Sequence, residues 1–140
     1  MLQSLSLVTL GVTDLARSRA FYTGGFGWPP VFENDSIVFY QMNGFLLSTF
    51  LHAALEEDMG GRRLAPNGAF SLAHNVTTRD AVNDVVATLL SHGATLIRQP
   101  DEPPHGGYRG YVGDPDGHAW EIAWMPGIMP DADGFVRMEV

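Results

Sequence analysis

One pattern, strand–helix–strands, occurs twice in this chain, and that repetition constrains the fold more than any single motif. "SLSLVTLGV" (4–12) is rich in β-formers. Asp14 stands before "LARSRAFY" as an N-cap, and Gly24, Gly25 and Gly27 close the helix. "IVFYQMN" and "FLLSTFL" are strand-like runs that meet at Asn43-Gly44, a dipeptide suited to a tight hairpin because both residues tolerate positive φ. "HAALEEDM" (52–59) reads as a short helix, and "GGRRLAPNG" as a linker. The order then restarts. "FSLAHNV" (70–76) is a strand. "TRDAVNDVVATLLSHG" is a helix with Val82, Val85, Val86, Leu89 and Leu90 on one face and Gly93 beyond its end. "ATLIRQ" is a strand followed by the extended "PDEPPHGG". "YRGYVG" and "HAWEIAW" are strands around the turn "DPDG", where Pro115 presets φ and Gly117 gives freedom. Two internal registers agree with the repeat. Val12-Thr13 recurs as Val76-Thr77, and Asn43-Gly44 recurs as Asp116-Gly117 at a longer interval, which the proline-containing connection of the second half accounts for.

The expected organisation is one domain over 1–140. Module 1 spans about 4–59, the linker about 60–68, module 2 about 69–125, and a tail 126–140 ends in the apolar "FVRMEV". The fold class is α+β, with two tandem βαβββ modules.

Composition narrows the function. With 45% hydrophobic and 11% aromatic residues, the chain can build a core. A net charge of −8 disfavours nucleic acid, since nothing attracts phosphate broadly. All eight basic residues are arginines, which excludes Schiff-base chemistry on a lysine. There are no cysteines, hence no disulfides or thiolate metal sites, in keeping with a reducing cytoplasm. No membrane-spanning run and no signal peptide are read. No Ser-His-Asp or nucleophile-elbow pattern is visible, and "GGRR" (60–63) lacks the lysine of a phosphate-binding loop.

Strand alternation describes a candidate site. On "HAWEIAW", His118, Trp120, Ile122 and Trp124 share one face, while Ala119, Glu121 and Ala123 share the other. The large face should pack on helices, and the small face, centred on Glu121, should be open to a ligand. Ser71, Ala73 and Asn75 form a similar stripe on the fifth strand, and Thr9 and Gly11 extend it on the first. Small residues around one acid leave room for a ligand. Arg109 and Tyr111, on the strand paired with "HAWEIAW", are further candidates; Arg109 suits either an acidic ligand or Glu121 itself. Three roles stay open for Glu121: an acid satisfied by the Ser48 and Ser71 hydroxyls or by water, a ligand anchor, or a general acid–base. His74 should lie on the face opposite Ser71. His118 reads as a packing residue, and His105 as part of an exposed loop that could close over the site. Tyr40, Trp28, Phe32 and Phe50 read as core, with an aromatic wall around an apolar ligand as the alternative.

"TLGVTDLARSRAFY" opening the first half and "GYVGDPDGHAWEIAW" closing the second give the chain a resemblance, over roughly 4–125, to the vicinal-oxygen-chelate superfamily of glyoxalase I, bleomycin- and fosfomycin-resistance proteins and extradiol dioxygenases. The resemblance implies that the curved mixed sheets of both halves form a cup with helices on the outer face, often in a dimer, with a divalent metal held from the first and last strand of each module. The positions it implies are Leu7, Ser48, Ser71 and Glu121. Divalent sites take imidazole nitrogens and carboxylate oxygens. Leu7 has no lone pair to give, two positions are hydroxyls, and Glu121 alone keeps a ligand-type side chain. The expectation is therefore no metal, a small-molecule ligand, a homodimer and a cytoplasmic location. The alternatives are a metal- or Glu121-dependent lyase, isomerase or dioxygenase acting on a small oxygenated substrate, and an interaction protein that works through its dimer or its tail.

Overall fold

The computed structural model describes residues 1–65 and 68–138. The chain separates into two compact units, Met1–Pro66 and Asn67–Val140. Each contains a four-stranded mixed sheet with a helix on one face.

In the first unit, β1 (Leu7–Val12) leads into α1 (Leu15–Ala20), and β2 (Pro30–Glu33), β3 (Ile37–Gln41), β4 (Leu46–Leu51) and α2 (His52–Asp58) follow. The sheet order is β1-β4-β3-β2, with β1 parallel to β4 and the other pairs antiparallel. Asp14 caps α1 by accepting the Arg17 N–H at 2.9 Å. The helix widens into a π-turn, Phe21–Gly25, which carries Phe21 and Tyr22 into the core beside Leu10, Val12, Val38, Tyr40 and Leu47. Asn43-Gly44 makes the hairpin: Gly44 has φ +84° and the Met42 N–H meets the Phe45 carbonyl at 2.9 Å. The strand β2 was not legible as a separate run, because two prolines precede its apolar residues; it is short and lies at the sheet edge, where a proline is tolerated.

The second unit repeats the order with β5 (Leu72–Asn75), α3 (Arg79–Ser91), β6 (Thr95–Asp101), β7 (Tyr108–Gly113) and β8 (Ala119–Trp124), arranged β5-β8-β7-β6. Thr78 caps α3 through the Ala81 N–H. Val82, Val86 and Leu89 of α3 are buried, as are Val112, Trp120 and Ile122 on the strands it packs against. At its N-terminus the Arg79 guanidinium lies over the rings of Tyr108 and Trp124. The "DPDG" turn rests on Asp114, which is 2% exposed; its carboxylate accepts the N–H groups of Asp116 and His118 at 3.0 and 2.8 Å. The sixth strand runs further than "ATLIRQ" suggests. It continues through Pro100 to Asp101, with register irregularities between Leu96 and Arg98 and between Arg98 and Asp101. A bulge lets an edge strand carry a proline, which cannot donate to the ladder.

Within the linker expected at 60–68, residues 66 and 67 lie outside the described residues, as do the last two of "FVRMEV". Phe135, Val136 and Met138 of that patch are exposed. Among the described residues, no helix is long and apolar enough to cross a membrane.

Candidate functional site

The alternation on β8 holds in the structure. Trp120 and Ile122 are buried on the α3 side, and Arg79 of α3 lies over Trp124. Ala119, Glu121 and Ala123 therefore line the opposite face. Burial of the large side chains sets this register, since a one-residue slip would expose both Trp120 and Ile122.

Strand pairing builds rows across that face, on which Glu121 is half-buried and Ala123 buried. Ala73, Glu121, Tyr111 and Arg98 form one row, one residue from each of β5, β8, β7 and β6. Asn75, Ala123, Arg109 and Asp101 form the next, about 7 Å along the strands. Tyr111 faces Glu121 across the β7–β8 pair. Partial burial raises the phenol's pKa most, and the Glu121 charge and hydrogen bonding to its carboxylate raise it further; Arg109 and Arg98 pull it back down.

Arg109 does not serve Glu121. Its guanidinium pairs with Asp101, which also takes Arg98 at 2.7 Å through Nη2 and 3.2 Å through Nε. Two guanidinium groups thus share one carboxylate. Hydrogen bonding to Arg98, with help from Arg109, holds the Asp101 carboxyl below its ordinary value. Arg98 and Asp101 were not candidates from the sequence, because the irregularities in β6 break the parity that alternation relies on. The remaining signal was their neighbourhood on a strand adjoining Arg109.

The other candidates divide. Ser48 is fully buried and donates to the Thr9 hydroxyl at 2.9 Å. Its proton is thus committed to its neighbour on β1, and the residue that faces Glu121 across the strand pair is Tyr111. Asn75 donates its side-chain N–H to the Ile128 carbonyl at 2.8 Å and so ties down the tail. Ser71 is exposed and precedes β5; the residue opposite Glu121 is Ala73. Leu7 pairs with Leu46 and is partly exposed. Tyr40 is buried in the core, and Trp28 stacks on Phe26 at 4.2 Å, so both are packing residues. Phe32 is exposed beside Phe39, and Phe50 is half-buried. His105 is exposed in its loop.

His74 opposes Ile122, on the face away from Glu121, and burial lowers its pKa from 6.5. A histidine kept neutral by burial binds its proton more readily unfolded than folded. Stability should then be complete above about pH 6.5 and decline as pH falls below it toward the lowered folded value. A falling unfolding midpoint between about pH 7 and 5, with a shallower slope in His74→Gln, is the expected result; an unchanged slope in the variant would assign the effect elsewhere.

Set beside known proteins, this twofold βαβββ arrangement has clear counterparts. The model of the glyoxalase/bleomycin resistance protein/dioxygenase superfamily matches residues 4–122. The chain belongs to that superfamily. A glyoxalase-related enzyme from Fulvimarina pelagi is 49% identical with a TM-score of 0.96, over 99% of this chain and 100% of its own. A glyoxalase/bleomycin resistance protein/dioxygenase family enzyme from Burkholderia phytofirmans PsJN is 25% identical, with a TM-score of 0.77 over 86% of this chain and 97% of its own. A lactoylglutathione lyase from Agrobacterium tumefaciens shares the fold alone, at 19% identity and a TM-score of 0.71 over 89% and 95% of the two chains.

The resemblance to glyoxalase-type metal enzymes raises the question of a divalent ion, and the donor set here does not fit one. Leu7 offers only carbon, and Ser48 is hydrogen-bonded to Thr9. Ser71 is a neutral hydroxyl, and Glu121 is one carboxylate beside a phenol. Among the described residues, no group of three or more His, Cys, Asp or Glu side chains could hold a metal ion.

Proposed function

We propose that this member of the glyoxalase/bleomycin resistance protein/dioxygenase superfamily binds a small molecule without a metal, with Glu121 as the anchor. The supporting observation is the Glu121–Tyr111 pair in the row Ala73, Glu121, Tyr111 and Arg98, with the small Ala119 and Ala123 on either side of Glu121 along β8. A carboxylate and a phenol side by side, over small side chains, can accept from and donate to one ligand oxygen-bearing group while leaving it room. Thr9 and Ser48 act as a structural hydroxyl pair, and Asn75 as a tether of the tail. The chain acts in the cytoplasm as a homodimer in this reading, supported by its lack of cysteine and by its family.

A second reading is an enzyme, a lyase or isomerase acting on a small oxygenated substrate with Glu121 as the base. It is favoured by the 49% identity to a glyoxalase-related enzyme. Glu121 would take a proton from carbon, and Tyr111 would donate to the oxygen where charge develops.

The deciding experiment is metal content of the purified protein with thermal shift on adding Mn²⁺, Fe²⁺, Co²⁺, Ni²⁺ and Zn²⁺. The expected result is no Glu121-dependent shift, together with ligand-induced NMR changes at Tyr111 and Glu121. Glu121→Gln should weaken ligand binding about tenfold or more, the loss of one charge-assisted hydrogen bond. Near-stoichiometric metal whose stabilisation disappears in Glu121→Ala would overturn the metal-free reading.

A further inference from the structure

We propose that Asn43 is a site of spontaneous covalent modification, at which the Gly44 amide nitrogen closes on the Asn43 side chain and water opens the ring to aspartate or isoaspartate. The proposal is independent of the binding face on β8. Asparagine is among the thermolabile residues. Asn43 and Gly44 form the tip of the hairpin between β3 and β4, and both are exposed. Ring closure needs a nitrogen that no acceptor holds, freedom to turn it toward the side-chain carbonyl carbon, and no bulk in the way. Gly44 supplies each. Its N–H has no partner among the described residues. A Cβ placed on Gly44 would meet nothing within 4 Å, and glycine is the residue least restricted in φ and ψ. The bonds that close the hairpin also bypass the Asn43–Gly44 peptide. The Met42 N–H meets the Phe45 carbonyl at 2.9 Å, and the Gln41 side-chain amide donates to the Met42 and Phe45 carbonyls at 2.8 and 3.2 Å. The peptide can therefore rotate while the strands stay paired.

The other described asparagines lack this combination. Asn75 precedes Val76, whose N–H is bonded to the Ala123 carbonyl at 2.8 Å. Asn83 precedes Asp84 within α3, where the following N–H belongs to the helix ladder, and its side-chain oxygen accepts the Tyr108 hydroxyl. Asn34 turns its side-chain oxygen to the N–H groups of Ser36 and Ile37, and Asp35 follows it.

The step balances with water alone. Hydroxide takes the Gly44 amide proton, and the nitrogen attacks the Asn43 Cγ. The Cγ–Nδ2 bond breaks, and ammonia leaves with a proton from water. Water then opens the cyclic imide. Cleavage at Cγ gives aspartate; cleavage at the backbone carbonyl carbon gives isoaspartate, with the chain running through the side-chain carbon. Either product adds a negative charge to a chain at −8. Isoaspartate also adds a carbon to the backbone of a tight loop, so the adjoining Gln41–Leu46 pair must shift. Because β4 lies between β1 and β3, the disturbance enters the middle of the sheet.

The test is incubation of the folded full chain at mildly alkaline pH, followed by peptide mapping with mass spectrometry. Mapping keeps Asn43 apart from Asn67, the other asparagine that precedes a glycine. The Asn43 amide should be lost many-fold faster than those of Asn34, Asn75 and Asn83, at a rate proportional to hydroxide concentration. Two products of equal mass, aspartate and isoaspartate, should appear. Asn43→Gln should keep its amide, since the longer side chain disfavours the ring, in a variant whose circular dichroism shows the fold intact. In the isoaspartate fraction, separated by ion exchange, the Gln41 and Leu46 amide resonances should move and those of α3 should not. An Asn43 amide that lasts as long as that of Asn75, aspartate without isoaspartate, a rate indifferent to pH, or equal loss in Asn43→Gln would overturn the proposal. Unmoved Gln41 and Leu46 resonances in the isoaspartate fraction would overturn its effect on the sheet.

Discussion

Ile122→Ala should lower the unfolding free energy by roughly 2–5 kcal/mol, the range for removing several buried methyl and methylene groups without full collapse of the space they leave. Ile122 has no exposed surface. It lies between His74 on β5 and Gly110 on β7, on the face covered by α3. Urea unfolding followed by circular dichroism measures the effect, and a loss under about 1 kcal/mol would mean that the α3 face is loosely packed. The substitution bears on the site as well. Burial of Ile122 and Trp120 holds β8 in the register that turns Glu121 to the open face, so a looser core should broaden the Glu121 and Tyr111 resonances before the chain unfolds.

Gly110→Val should destabilise by about 1–3 kcal/mol through overpacking and should disturb the Tyr111–Glu121 row of the face. A Cβ at Gly110 would lie 3.0 Å from the Pro100 Cγ and 3.1 Å from the Arg98 carbonyl oxygen. The side chains of β6 cannot yield there, because one contact is a ring and the other is backbone. The strand itself must move, and with it Arg98 and Asp101 shift away from Tyr111 and Arg109. Thermal unfolding measures the first part and the Tyr111 and Glu121 amide resonances the second. A stable variant whose Tyr111 and Glu121 resonances do not move would show that the position of β6 does not govern that row.

Much of the fold was legible because its signals are local. Asn43-Gly44 specifies a hairpin by φ alone, and the valines and leucines of 82–90 specify one helix face by spacing. The edge strand at Pro30–Glu33 and the run of β6 through Pro100 were not legible. Proline argues against a strand locally, and only pairing with a neighbour, through a bulge, overrides it. The same division runs through the site. Alternation on "HAWEIAW" set Glu121 on the face opposite Trp120 and Ile122, and the structure agrees. Alternation could not say that Ser48 donates to Thr9, that Asn75 reaches Ile128, or that Arg109 takes Asp101 in place of Glu121.

The amino-acid sequence by itself determined the repeat, the strand and helix order, the family, and the poverty of metal donors at the four positions where a family metal would be held, since each depends on residue identity and spacing along the chain. Which polar side chains are committed to one another was decided only by tertiary structure. Hydrogen bonds and ion pairs are chosen by distance across strands, and two register irregularities in β6 bring Arg98 opposite Tyr111 and Asp101 opposite Arg109.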